Sequence, residues 1–71
     1  MKTDFAINEI TVRAEATFGL KVRIGDRVRR GQLIGISADT KEPLPSPLTG
    51  IVKGVEFDSE EHAFVVVLDG Y

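Results

Sequence analysis

Glycine-led turns divide the segment LKVRIGDRVRRGQLIGISADTKEPLPSPLTGIVKGV, Leu20 to Val55, into pieces too short for helices. A glycine before a charged or polar residue marks a tight turn, and alternating aliphatics on either side mark half-buried strands. Nowhere does the chain sustain a helical period. Seven glycines, with short apolar segments between turn signals, predict an all-β sandwich or barrel.

Individual strands follow from the alternation. Phe5, Ile7, Ile10, Val12, Ala14 and Ala16 alternate with polar residues, with a phase change at Asn8-Glu9 that predicts a bulge or bend. Leu20, Val22 and Ile24 predict a second strand ending at Gly25-Asp26. Val28 marks a very short segment, and Leu33, Ile34 and Ile36 a further strand in which Gly35 permits close backbone approach. Ser37 to Pro47 carries Pro43, Pro45 and Pro47, so it is expected to be loop or hairpin whose pairing is confined to an edge. Ile51, Val52 and Val55 open the next strand, extended by Phe57. After the polar turn Asp58-Ser59-Glu60-Glu61, the run Phe64 to Leu68 is expected to be a strand buried on both faces.

Composition removes whole classes of function. The 71 residues predict one domain, residues 1–71, with one modest core. A net charge of −2 argues against general nucleic-acid binding. There is no cysteine, hence no disulfide and no thiolate chemistry, and a lone His62 cannot build a histidine-rich metal site. No segment approaches the roughly 20 apolar residues of a helical membrane span. The opening MKTDFAINEI lacks the apolar region of a signal peptide, which predicts a soluble, cytoplasmic chain.

A weak internal repeat relates Gly19-Leu20-Lys21-Val22-Arg23-Ile24 to Gly50-Ile51-Val52-Lys53-Gly54-Val55 and predicts two similar halves about a quasi-twofold core. Two framework blocks carry a family resemblance. Gly25-Asp26-Arg27-Val28-Arg29-Arg30-Gly31-Gln32-Leu33-Ile34 and Ser46-Pro47-Leu48-Thr49-Gly50-Ile51-Val52 resemble the biotinyl/lipoyl-like domain, the barrel-sandwich hybrid, over roughly Val12 to Leu68. The resemblance implies a flattened β-barrel with quasi-twofold halves. Gly25 and Gly31 would take left-handed backbone conformations around a buried Val28. Pro47 would fix the approach to the second block, and Gly50 would permit a bend.

Carrier members of that family hold a lysine on a hairpin between the blocks, in Met-Lys-Met for biotin or Asp-Lys-Ala for lipoate. Lys41 lies ten positions after Gly31 but only six before Pro47, about two short of the family spacing, and Asp39-Thr40-Lys41-Glu42-Pro43 matches neither motif. Pro43 and Pro45 each remove a backbone donor, which argues against a symmetric hairpin with Lys41 at its tip. The chain is therefore more similar to the non-carrier N-terminal hybrid domain in electron-input subunits of Rnf-type and Na+-translocating NADH:quinone oxidoreductases. Related blocks also occur in accessory proteins for molybdenum hydroxylases. The resemblance implies a non-catalytic binding or assembly module without a covalent cofactor, with oxidoreductase subunits as partners. The alternative it implies is a swinging-arm carrier of lipoate or biotin on Lys41.

Charge is uneven along the chain. Lys21, Arg23, Arg27, Arg29 and Arg30 crowd the first block, and Asp58, Glu60 and Glu61 crowd a later turn. The four arginines are candidate partner-binding residues, because guanidinium groups recognise carboxylate and phosphate through two hydrogen bonds at once. Read simply as solvated strand sides, they need no partner. Exposed prolines and separated charge clusters also allow a homo-oligomer. Ser37, Ser46 and Ser59 have no second histidine to serve them, and Glu60-Glu61 reads as a turn, so no catalytic residue is expected.

Overall fold

The computed structural model describes residues 9–70. The expectations for Phe5, Ile7 and Asn8 lie outside the described residues. The architecture is all-β, built on a curled, half-barrel sheet. Strands β1 (Glu9–Glu15), β2 (Arg27–Val28), β3 (Leu33–Ile36), β4 (Pro43–Pro45), β5 (Gly50–Asp58) and β6 (Ala63–Gly70) are joined by loops and one 3-10 turn, Ala16–Phe18. Four strands form the sheet in the order β1-β6-β5-β2, all neighbours antiparallel, and β3 pairs with β4 as a separate hairpin.

Core residues come from both sheets. Val52, Val66 and Leu68 on the curled sheet meet Val22, Val28, Ile34 and Leu48, with Val12, Leu20, Leu44, Val55 and Phe64 packed around them. Ile34, Val52, Val66 and Leu68 are completely buried. The hairpin is tied to the large sheet at its turn end and closed by its own main-chain bonds at the other. Ser37 bridges to Ala14 and the Ala38 N–H donates to the Arg13 carbonyl, while Gly31 and Gln32 bond Ser46 at the other end.

Three expectations change. Leu20 to Ile24 is not a strand, although Val22 is buried as the alternation requires. Its backbone bonds go singly to scattered partners: the Lys21 N–H to the Ile34 carbonyl, and the Arg23 N–H to Asp26 Oδ2. Gly19, at φ 71°, turns the chain out of the 3-10 segment, and a second reversal follows at Gly25, so no ladder can start between them. The Gly19 and Gly50 segments of the repeat therefore adopt different structures, since Gly50 opens the nine-residue β5.

Second, β6 is central in its hydrogen bonding but is buried on one face only. Val66 and Leu68 face the core, whereas Val65 and Val67 are half-buried on the outer face beside Arg13, Glu56 and Thr11. Third, Gly50 serves close approach rather than a bend. A Cβ there would lie 2.1 Å from the Asp69 carbonyl oxygen and 2.8 Å from Gly70 Cα. Gly25 and Gly31 take the expected left-handed conformations, φ 93° and 90°, and a Cβ on Gly35 would come within 3.1 Å of the Gly19 carbonyl oxygen.

A bulge in β5 was not anticipated. Val52 pairs with Leu68 but Gly54 with Val67, so Lys53 and Gly54 share one position on β6. The extra residue restores the core face three positions on, which is why Val52 and Val55 both point inward. The sequence signal is the step of three between those valines across an isolated glycine.

Candidate functional site

Residues 25–32 and 46–52, the heart of the two framework blocks, are bonded to one another through main-chain atoms. The Gly31 N–H donates to the Ser46 carbonyl at 2.8 Å and the Ser46 N–H to the Gln32 carbonyl at 2.7 Å. The Gly25 N–H donates to the Val52 carbonyl and the Val52 N–H to the Asp26 carbonyl, both at 2.8 Å. Between these two cross-links Arg27 pairs with Ile51 and Val28 with Gly50. Buried Ser46 adds a hydroxyl bond to the Leu48 carbonyl at 2.6 Å.

Arg27, Arg29 and Arg30 lie within this cross-linked block and Arg23 two residues before it, and all four are exposed. Their backbone is fixed by neighbouring side chains: Asp26 Oδ2 accepts from the Arg23 N–H, Gln32 Oε1 from the Arg29 N–H, and Thr49 Oγ1 from the Arg30 N–H, at 2.9–3.1 Å. None of the four guanidinium groups forms an ion pair with a described residue. The pattern is a rigid backbone carrying uncommitted cations.

Lys41 sits in the turn of the β3–β4 hairpin. The hairpin forms despite its prolines, because β4 bonds a strand on one side only and Pro43 and Pro45 can turn their donorless edge away. The Ser37 N–H donates to the Glu42 carbonyl and the Lys41 N–H to the Ser37 carbonyl, which closes the turn. Lys41 has φ 63° and lies on its returning side. Its amine is held down, donating to the Ala38 carbonyl at 2.9 Å and to Glu15 Oε1 at 3.2 Å, although the side chain is 62% exposed.

Glu15 is the residue that sequence reasoning missed. Besides Lys41, it accepts from the Thr17 N–H and hydroxyl, and His62 Nδ1 lies 3.1 Å from its Oε2. These bonds, led by the Thr17 amide and then His62, pull its carboxyl from 4.5 down to about 2. One side chain thus gathers the 3-10 segment, the β3–β4 turn and the β5–β6 turn. Only Thr17, two residues on, could have hinted at this, since Lys41 and His62 are brought in by the fold. Nearby, Arg13 pairs with Asp58 at 3.0 Å and holds the Asp58 carboxyl below its usual range. His62, at φ 53°, also meets the Phe57 ring edge-on.

Among the described residues no group of three or more His, Asp or Glu side chains is placed to hold a metal ion. No helix among them is long and apolar enough to cross a membrane. Comparison with protein-family models finds no matching family, and no curated protein matches the chain.

Proposed function

We propose that this chain is a non-catalytic binding and assembly module of the biotinyl/lipoyl-like kind, docking through Arg23, Arg27, Arg29 and Arg30 onto an acidic surface of a partner protein. The observation that carries this reading is the pairing of fixed backbone with uncommitted guanidinium groups along residues 23–30. A surface already ordered before contact loses less freedom on binding, so its charge–charge hydrogen bonds translate more fully into affinity. The redox setting, with oxidoreductase subunits as partners, rests on the resemblance of the two framework blocks alone. The absence of a covalent cofactor is supported by the Lys41 amine, engaged by Glu15 and the Ala38 carbonyl and flanked by residues that match neither attachment motif.

Affinity capture from the native host with the wild-type chain, and with all four arginines changed to glutamate, tests this reading. Oxidoreductase subunits are expected with the former and not with the latter. Equal capture by both would remove the arginines from the interface, and capture without any redox subunit would remove the redox setting.

A second reading, a carrier modified on Lys41, draws support from the exposed side chain on a hairpin turn. Intact mass of protein made in its own host decides it. An added biotinyl or lipoyl mass would establish the carrier, and a wholly unmodified population would dismiss it.

A further inference from the structure

The outer edge of β5 is open along most of its length. Strand β2 pairs only with Gly50 and Ile51, and the Gly25–Asp26 backbone adds Val52. From Lys53 to Asp58 no described strand lies alongside. Open edges are normally blunted by proline, by inward-pointing charge or by brevity. Among the described residues this edge is blunted only by the bulge and by the charges of Lys53, Glu56 and Asp58. Its core-facing positions are Val55, which packs on the core, and Phe57, which pairs across the sheet with Phe64. The two rings lie 5.6 Å apart, yet Phe57 remains 54% exposed, because no described strand covers it from the edge side.

We infer that this edge pairs with the same edge of a second copy, antiparallel and centred on Val55, joining the two sheets through β5. The charge pattern selects a second copy as the occupant. With Val55 opposite its own symmetry mate, Glu56 falls opposite Gly54 and beside Lys53 of the other copy, whose amine also bonds Glu9 of its own chain at 2.6 Å. With Lys53 and Gly54 sharing one position, Phe57 falls at the level of Val52, where Gly25 and Asp26 end the open edge, and Asp58 lies just beyond, on the side of Arg27. The acidic turn Asp58 to Glu61 of each copy is thereby delivered to the other's basic segment, Arg23 to Arg30, and the twofold axis makes both contacts at once. Phe57 gains Val55 of the facing strand as cover. Registers centred on Glu56 or Phe57 instead bring like charges opposite each other, Glu56 on Glu56 or Glu56 on Asp58, and are disfavoured.

So short a pairing buries less than the about 1,200 Å² of a standard interface, so the dimer is weak and depends on concentration and salt. Sedimentation of the full chain from micromolar to millimolar concentration is expected to show a reversible monomer–dimer equilibrium. Glu56→Lys, which sets two lysines side by side, and Phe57→Ser should each weaken association about tenfold or more. The exchanged pair Lys53→Glu with Glu56→Lys should recover it. Both altered residues are exposed, and an unchanged far-ultraviolet spectrum separates lost pairing from lost folding. A monomer throughout the range, or a dimer indifferent to both single substitutions, overturns the inference. Because the pairing shares the arginine segment with the proposed docking surface, Phe57→Ser also separates the two: partner capture should survive it while self-association does not.

Discussion

The two ends of the curled sheet are held by different forces. At one end the framework blocks are joined by paired main-chain hydrogen bonds at Gly31–Ser46 and Gly25–Val52, over buried Val28 and Ile34. At the other, beside single main-chain ties at Ala38–Arg13 and Ala16–His62, the 3-10 segment and two turns converge on Glu15 through side chains, and half-covered aromatics extend past the hairpin. Main-chain bonds persist whatever the side chains and the pH. Exposed ion pairs weaken with salt and with protonation. The first end suits a surface that must keep its shape, and the second is where opening begins at lower cost.

Substitution at the main-chain-bonded end should have the largest effect. Ile34→Ala removes a completely buried side chain from the centre of the core, and its cost is expected to be about 2–5 kcal/mol. A chain this small holds roughly 5 kcal/mol or little more in total, so the variant should keep at most about 3 kcal/mol and unfold at a much lower urea concentration. Gly50→Ala follows. Its Cβ would drive into the Asp69 carbonyl, and relief requires β5 and β6 to part where β2 also depends on Gly50. About 1–3 kcal/mol is expected, read from the denaturation midpoint. A loss within error at both sites would erase the distinction between the ends.

The same contrast governs what the sequence discloses. Main-chain features were legible because their residue types are forced: left-handed Gly25 and Gly31, the buried Val28 between them, and the short β2 and β3. Alternation also located β1, since a one-sided sheet imposes a period of two, and clusters of β-branched residues located β5 and β6. Alternation misled at Leu20 to Ile24, where a buried–exposed rhythm persists although the backbone finds no strand partner, with Ile24 64% exposed. The continuous apolar run misled at Phe64 to Leu68, because β-branched residues at Val65 and Val67 suit the open face of a sheet as well as a core. The arginine cluster was visible as composition; that Asp26, Gln32 and Thr49 fix its backbone was not. Glu15 was illegible, because nothing local shows that Lys41 and His62 will meet it.

That hub supplies the finest test of the comparison. The Glu15 carboxyl is depressed to about 2 in the folded chain, below the 4.5 it returns to on unfolding. A depressed acid contributes stability that is complete above its unfolded value and is lost as pH falls through its folded one. The contribution therefore fades between about pH 4.5 and about pH 2. Thermal melts of Glu15→Gln should match the wild-type slope at neutral pH, at a somewhat lower midpoint, and fall less steeply than wild type across that acid window. Asp58 titrates in the same direction through Arg13, so part of the slope should remain in the variant. Amide exchange locates the effect: in the variant, protection should drop in the two turns around Ala38–Lys41 and Ser59–His62 and hold at Gly25, Gly31 and Val52. Equal loss at both ends would mean that the molecule opens as one unit, and the division between main-chain-held and side-chain-held regions would then describe its bonding but not its dynamics.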